Sequence, residues 1–236
     1  MSNAIPLKNQ VIWLTGASSG IGEALAENLA PLCTHLYISA RSTEKLSHLE
    51  NAFSNITAIA ADITDEASLA TAVAQIQAEA GRLDTVIANA GTCEYVDVNQ
   101  FDTALFRRVL ETNVLGLVNT VGAALPLLKQ SKRGYIVGVS SSVAMLAMPR
   151  AQAYGSSKAA VTHFLESMKA DLTPLGFDVS VVSPGFVKAP LRYVNDVPMP
   201  MRRDEEQAAK EIVKALRNGR WHLHVPKRLS FMLCMH

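Results

Sequence analysis

Short apolar runs alternate with segments of helical periodicity along almost the whole chain. The apolar runs are rich in Val and Ile and nearly continuous, which predicts strands that are buried on both faces of a sheet. Glycine, proline or polar residues bound most of them. The predicted strands are Val11–Thr15, His35–Ala40, Ile56–Ala61, Asp84–Ala90, Gly134–Ser140, Asp178–Ser183 and Trp221–Pro226.

The segments between these runs place apolar residues at helical spacing. Strict alternation of strands and helices predicts an α/β fold, with a doubly wound parallel β-sheet and helices on both of its faces. Ligands of such sheets bind beyond the carboxyl ends of the strands, so residues that follow strands are the first candidates for chemistry. The predicted helices are Ile21–Leu32, Ser42–Phe53 with a Ser or Thr cap, Asp65–Ala80, Phe101–Gln130 with a bend near Pro126, Ala153–Leu175 and Asp204–Gly219.

Composition narrows the class of protein. A chain of 236 residues fits one domain. Its formal net charge of +1, without a long basic block, gives no indication of nucleic-acid binding. Cys33, Cys93 and Cys234 match neither a disulfide framework nor a zinc site, so we expect reduced thiols in a cytoplasmic protein. The histidines lack ligand spacing, and no metal is expected. No signal peptide or transmembrane segment is predicted.

A glycine-rich turn, "TGASSGIG", follows the first predicted strand. Gly16, Gly20 and Gly22 allow a tight turn and a close approach of the backbone to a pyrophosphate, while the following helix offers free N–H groups. The spacing is G-x-x-x-G-x-G, not the G-x-G-x-x-G dinucleotide fingerprint. A tight strand-to-helix connection without a ligand is the alternative.

Tyr154 and Lys158 are four residues apart and share one helical face. A neighbouring ammonium favours the phenolate and lowers the pKa of a tyrosine, which suits it to acid/base work near neutral pH. From the spacing alone, an ordinary surface pair is the alternative. The serines of "GVSSSVA" follow a predicted strand, and Ser141 lies 13 residues before Tyr154, where its hydroxyl can bind a carbonyl or alcohol oxygen.

Taken in order, these pieces resemble the short-chain dehydrogenase/reductase family over nearly the whole chain. The matching motifs are "TGASSGIG", "ISAR", "ADITD", "NAG", "ETNVLG", "VSSSVA", "YGSSK" and "SPGFV". The resemblance implies a single Rossmann-like domain over residues 1–236. Its cofactor half is expected at about 5–140 and its catalytic and substrate part at about 141–236.

The resemblance also implies four catalytic residues. Tyr154 is the expected general acid/base, and Lys158 is expected to lower its pKa and to bond the nicotinamide ribose. Ser141 is expected to polarise the substrate oxygen, since Ser140 and Ser142 shift the family's spacing by one. Asn113 of "ETNVLG" is expected to hold a water that links Lys158 to solvent.

Cofactor contacts follow from the same resemblance. The turn is expected to bind the phosphates through Gly16, Ser18, Ser19, Gly20, Ile21 and Gly22. Arg41 ends the second strand where NAD-binding chains carry an acid, so Arg41 with Ser42 favours the 2′-phosphate of NADP(H) over NAD(H). Arg41 stacked on adenine or facing solvent is the alternative.

The remaining contacts lie after later strands. Asp62 and Ile63 are expected at the adenine, Asn89, Ala90 and Gly91 on the adenine-ribose side, and Pro184, Gly185 and Val187 beside the nicotinamide, with Tyr154 and Lys158 completing the set. Many relatives carry Thr two residues after that Val, and Ala189 stands here instead.

The predicted function is an NADP(H)-dependent oxidoreductase that interconverts a carbonyl and an alcohol. The segment 191–201 is expected to form a lid over an apolar small-molecule substrate, with Met145, Leu146 and Met148 on the facing wall or in the core. By analogy with relatives, a homodimer or homotetramer is expected. The alternative from another class is a non-catalytic NADP(H)-binding sensor.

Overall fold

All seven predicted strands are present in the computed structural model, which describes residues 6–187, 204–219 and 221–225. The first two strands match the prediction to the residue, and the others differ by a few residues at their ends. The strands are β1 (Val11–Thr15), β2 (His35–Ala40), β3 (Ile56–Ala60), β4 (Thr85–Ala88), β5 (Tyr135–Val139), β6 (Asp178–Pro184) and β7 (His222–Val225).

Seven α-helices occur in the described ranges, and two predictions about them are wrong in detail. The predicted Ser or Thr cap of the second helix is absent, because that segment begins as a 3-10 turn, Glu44–Leu46, without a side-chain capping bond. The long helix predicted from Phe101 is divided by a π-helical turn, Glu111–Leu115. The helices are α1 (Gly20–Leu29), α2 (Ser47–Ala52), α3 (Glu66–Ala80), α4 (Thr103–Leu110), α5 (Gly116–Leu128), α6 (Gln152–Leu172) and α7 (Glu205–Leu216).

The sheet has the strand order β3-β2-β1-β4-β5-β6-β7, and every pair is parallel. Sequential strands therefore run outward in one direction from β1 and then outward in the other from β4. The carboxyl ends of β1 and β4 form the switch point, where doubly wound sheets bind ligands. This topology confirms the predicted fold class.

Apolar side chains cover both faces of the sheet. One cluster joins the sheet to α1 and α7 through residues such as Leu25 and Ile212, and the other joins it to α3, α5 and α6. Trp13 in β1 is fully buried, and its indole N–H donates to the Ser39 hydroxyl at 3.1 Å. Because the central strands are buried on both faces, they fix the loops that follow them.

Two absences hold for the described part of the chain. None of its helices is long and apolar enough to cross a membrane. Nor does it bring three His, Cys, Asp or Glu side chains together in a way that could hold a metal ion.

Candidate active site

The turn between β1 and α1 is closed by glycines that stand too close to other backbone for a side chain. A Cβ on Gly22 would lie 2.1 Å from the Gly16 carbonyl oxygen, and one on Gly16 would lie 2.6 Å from the Ala90 Cα. Gly16 also has a φ of +70°, which disfavours any residue with a Cβ. The turn therefore needs glycine for its own geometry.

The N-terminus of α1 is open for a ligand. Ser19 caps the helix without a side-chain capping bond and is exposed, and Ser18 and Ile21 are half-buried. A Cβ on Gly20 would meet nothing within 4 Å. The first-turn N–H groups of a helix favour an anion, so this end of α1 can hold phosphate groups.

Arg41 is exposed immediately after β2, with Ser42 exposed beside it. The Asp62 carboxylate accepts hydrogen bonds from the Thr64 N–H and hydroxyl at 2.9 and 2.7 Å. These bonds, with a smaller effect of the Arg41 charge, lower the pKa of Asp62. Ile63 is buried, and its side chain fills the space above Gly116. Arg41, Asp62 and Ile63 thus line the side of the switch point next to β2 and β3.

Asn89 joins the two strands of the switch point. Its amide donates to the carbonyl oxygens of Thr15 at 3.0 Å and Gly16 at 3.1 Å, while its backbone N–H reaches the Thr15 hydroxyl at 3.2 Å. Ala90 follows as a half-buried residue and its N–H also reaches the Thr15 hydroxyl. Gly91 is exposed, and a Cβ there would lie 3.0 Å from Asn113 Oδ1 and 3.4 Å from Lys158 Nζ.

Asn113 lies in the π-helical turn and is 1% exposed. Its Oδ1 accepts from the Thr92 N–H at 2.7 Å, and its Nδ2 donates to the Thr92 carbonyl oxygen and the Ser157 hydroxyl, each at 2.9 Å. π turns within helices are frequent at functional sites. Both polar atoms of the Asn113 side chain are therefore already bonded. A relay water at this residue would have to share Oδ1 with the Thr92 N–H or bond the main-chain carbonyl oxygen of Asn113.

Lys158 is 4% exposed on α6, and its Nζ donates to the Val139 carbonyl oxygen at 2.9 Å. Burial of the ammonium lowers the pKa of Lys158 to about 8, against a smaller opposing effect of Cys93. The Nζ atom lies 5.8 Å from the centre of the Tyr154 ring. Tyr154 and Lys158 therefore lie near each other, as their spacing predicted, and the Lys158 side chain faces the protein interior, not solvent.

The expected direction of the Tyr154 pKa is corrected by the structure. Tyr154 is half-buried as a residue, but its phenol group is surrounded by protein, and this burial raises the pKa of Tyr154 well above its ordinary value. Cys93 and Tyr95 raise it further, whereas a hydrogen bond with Ser141 lowers it. Loss of water around the phenol is the largest of these effects, and the Lys158 ammonium is directed to the Val139 carbonyl oxygen.

The three serines after β5 have different surroundings. Ser140 is buried, and its hydroxyl bonds the Lys158 carbonyl oxygen and the Thr162 hydroxyl, both at 2.8 Å. The Ser141 hydroxyl bonds Tyr154 and accepts from the Val143 N–H at 3.3 Å, and Ser142 begins a 3-10 turn. Of the three, Ser141 is thus the one whose hydroxyl meets Tyr154.

The end of β6 completes the edge of the site. The Pro184 carbonyl oxygen lies 3.5 Å from the Ser141 hydroxyl, and the Gly185 N–H donates to the Val225 carbonyl oxygen at 2.7 Å. Val187 is half-buried and packs against the cluster beneath α1 and α7. Ala189, the predicted lid at 191–201 and Cys234 lie outside the described residues.

Residues that the sequence patterns missed surround the Tyr154 hydroxyl. Cys93 is a buried free thiol that bonds Tyr95, and its electrostatic effect reaches Tyr154 and Lys158. Burial raises the pKa of Cys93. Ser157 orients Asn113. The available signal is their position in the sequence, since Cys93 and Tyr95 follow the "NAG" motif within four residues.

Comparison with known proteins agrees with this geometry. The family model described as short chain dehydrogenase matches residues 10–196. An uncharacterized oxidoreductase of Myxococcus xanthus is 33% identical over 93% of this chain and 91% of its own length. An Arabidopsis thaliana protein, 11-beta-hydroxysteroid dehydrogenase 1A, is 37% identical over 78% of this chain. The match covers only 54% of the length of that relative.

A solved structure shows the same fold. The short chain dehydrogenase from Burkholderia cenocepacia, in complex with NADP, has a TM-score of 0.82 at 27% identity and covers 93% of this chain and 89% of its own. The match confirms both the predicted Rossmann-like fold and the family resemblance. The chain belongs to the short-chain dehydrogenase/reductase family, and its oxidoreductase relatives indicate an NAD(P)-dependent dehydrogenase acting on CH–OH groups.

Proposed function

We propose that the protein interconverts a carbonyl compound and its alcohol with NADP(H), using Tyr154 as the general acid/base. One observation carries the proposal: Ser141, Tyr154 and Lys158 come together at the carboxyl end of β5, and the side chains of Lys158 and Asn113 both lie beside Gly91. These residues come from four separate segments of the chain. A non-catalytic NADP(H)-binding sensor would not require these side chains to come together.

The bound nicotinamide supplies the hydride, or accepts it in the reverse direction. During reduction, Tyr154 donates its proton to the oxygen that gains the electron pair of the C=O bond, while the Ser141 hydroxyl donates a hydrogen bond to the same oxygen. A raised pKa keeps Tyr154 protonated and ready to donate. During oxidation, Tyr154 takes the alcohol proton, and the ammonium of Lys158 with the Ser141 hydroxyl stabilises the phenolate.

The cofactor preference rests on the end of β2. Arg41 is exposed there and no acid stands at the strand's end, so its guanidinium suits a 2′-phosphate, with Ser42 as a further donor. Gly16, Ser18, Ser19, Gly20, Ile21 and Gly22 cradle the pyrophosphate. Asp62, Ile63, Asn89, Ala90 and Gly91 line the adenosine side, and Pro184, Gly185 and Val187 line the nicotinamide side.

The substrate is a small carbonyl or alcohol compound with an apolar body. Met145 and Leu146, in the loop between β5 and α6, are 40% and 38% exposed, so they offer apolar surface near Ser141. Met148 is half-buried on the same loop. Methionine adapts its shape to irregular ligands, which fits a substrate wall.

Assembly and location complete the proposal. Val98, Phe101, Leu110 and Leu115 are large apolar residues exposed on and beside α4, which supports a homodimer or homotetramer. The free thiols of Cys33 and Cys93 support a reducing compartment such as the cytoplasm. The chain is proposed to act as one domain, with cofactor binding in about 5–140 and catalysis in about 141–236.

The test follows NADPH absorbance while aldehydes, ketones and diketones are screened with the wild type and Tyr154→Phe. We expect Tyr154→Phe to lose at least ~100-fold in turnover, because the ring stays in place and only the transferable proton is lost. NADPH binding, followed by its fluorescence, should be retained. Near-normal turnover by the variant, or NADPH binding without turnover of any carbonyl by the wild type, would contradict the proposal.

A further inference from the structure

An arginine with an unfavourable backbone conformation precedes the helix that carries Tyr154. Arg150 has a φ of 65°, and it is the one non-glycine residue with a positive φ among those the structure describes. Its carbonyl oxygen accepts a hydrogen bond from the Val96 N–H at 2.8 Å. Val96 is buried against Val109 and Ala153, which holds the loop after β4 against the start of α6. The surrounding structure therefore imposes the conformation of Arg150.

The guanidinium of Arg150 is directed at the active-site edge. Its Cζ lies 5.8 Å from the centre of the Tyr95 ring, within the range of a cation–π contact. The Tyr95 phenol bonds the Cys93 thiol and is close enough to Tyr154 for the two groups to interact electrostatically. Arg150 thus lies one aromatic ring away from the proposed proton donor.

The positive charge of Arg150 has no partner of opposite sign within residues 6–187, 204–219 and 221–225. The carboxylate beside Tyr95 in sequence, Glu94, is engaged by Arg108 at 2.9 Å. Arg150 is exposed, so an approaching ligand can reach it. A guanidinium that is stacked on a ring presents a fixed fork of donors, which suits a carboxylate or a phosphate.

We propose that Arg150, held over Tyr95, is a specificity-determining residue that binds an anionic group of the carbonyl substrate. The inference rests on the proposed function and deepens it. Met145 and Leu146 lie on the same loop as Arg150 and contact the apolar body of the substrate. The substrate class is accordingly an amphipathic ketone or aldehyde that carries a carboxylate or phosphate group.

The test compares straight-chain keto acids of increasing length with their methyl esters, and keto phosphates with the neutral keto alcohols. The quantity measured is kcat/KM with NADPH for the wild type, Arg150→Met, Arg150→Gly and Arg150→Lys. We expect the wild type to prefer the anionic member of a pair by about tenfold or more, the ratio that a charge-assisted hydrogen bond supplies. The pair that shows the preference identifies carboxylate or phosphate as the group bound.

The variants separate charge from backbone strain. Arg150→Met and Arg150→Gly should both lose the preference, with kcat/KM for the neutral member close to the wild-type value, although only glycine relieves the positive φ. Arg150→Lys should keep part of the preference. Arg108→Met, which removes an exposed arginine of α4 that pairs with Glu94, should keep all of it. Melting temperature and NADPH binding establish that each variant is folded.

Two results overturn the inference. One is a wild-type enzyme that reduces the neutral members as well as the anionic ones, and the other is an anion preference that survives in folded Arg150→Met and Arg150→Gly. Either result leaves the proposed function standing, because the neutral ketones still turn over. Failure of every carbonyl with NADPH would instead reject the proposed function itself.

Discussion

The side-chain amide of Asn113 holds Thr92 at two points. Its Oδ1 accepts from the Thr92 N–H at 2.7 Å, and its Nδ2 donates to the Thr92 carbonyl oxygen at 2.9 Å. Since the same Nδ2 bonds Ser157, the π turn, the loop after β4 and α6 are tied together one residue from Gly91 and Lys158. Asn113 is therefore a positioning residue, whatever part it takes in a water relay.

Replacing Asn113 by alanine should harm both stability and turnover. We expect Asn113→Ala to lower the free energy of unfolding by about 1–3 kcal/mol, because the N–H and carbonyl of the half-buried Thr92 lose their partner. Turnover should fall at least about tenfold as the loop beside Lys158 loosens, within the range of misplaced catalytic groups. Urea unfolding and NADPH oxidation measure the two effects.

Asn55→Ala is the matched control for this variant. The Asn55 amide also donates to two backbone carbonyls, those of Ala30 at 2.7 Å and Cys33 at 3.2 Å, but it lies away from the site. It should lower stability and leave turnover unchanged. Equal losses of turnover in the two variants would mean that the Asn113 contacts act only through global stability.

Ser140 and Ser141 provide a second matched pair. Ser141→Ala should lower turnover by about 100-fold, the effect of removing one donor to a developing oxyanion, with little change in stability. Ser140→Ala should instead lower the free energy of unfolding by about 1–3 kcal/mol, because its buried bonds to the Lys158 carbonyl and Thr162 are lost. A larger loss of turnover in Ser140→Ala than in Ser141→Ala would reassign the substrate-binding serine.

Arg41→Ala tests the cofactor preference. We expect the Michaelis constant for NADPH to rise at least about tenfold, as a charge-assisted phosphate contact is lost, while that for NADH stays unchanged. Initial rates with both cofactors measure the change. Arg217→Ala, which removes an exposed arginine after α7, should change neither constant. A wild type that prefers NADH would contradict the assignment.

Two histidines in β7, His222 and His224, should make the stability of the fold decrease in mild acid. Burial lowers the pKa of His224 from 6.5 to about 4, with a further effect of His222, whose own pKa burial lowers. The rings stack at 4.1 Å, His222 bonds the Ser183 hydroxyl, and His224 Nδ1 is buried without a partner among the described residues. Protonation therefore adds adjacent positive charges that the fold disfavours.

The sign of the pH effect follows from these shifts. The unfolded chain binds the His224 proton more readily than the folded one between pH 6.5 and about 4, so stability is complete above pH 6.5 and falls toward pH 4. The midpoint of urea unfolding should decrease across that window, and less steeply in His224→Phe. The exposed His163 offers a control, since His163→Gln should keep the wild-type slope. An unchanged slope in His224→Phe would contradict the prediction.

The sequence by itself was enough for the alternation of strands and helices and for the doubly wound class. Runs such as Val11–Thr15 and His35–Ala40 carry their periodicity locally, so their ends matched to the residue. Motif spacing likewise indicated Tyr154 with Lys158. Local patterns did not reveal the π turn at Glu111–Leu115, because the side-chain contacts of its Asn113, to Thr92 and Ser157, come from residues far away in the chain.

Only the tertiary structure decided the surroundings of the catalytic pair. The spacing of Tyr154 and Lys158 predicted a lowered tyrosine pKa, but burial of the phenol raises it, with smaller electrostatic contributions from Cys93 and Tyr95. The placement of Arg150 over Tyr95 also joins residues from different loops. Periodicity and motifs are properties of neighbouring residues, whereas desolvation and charge pairing depend on which distant segments meet, and the fold of the whole chain sets those meetings.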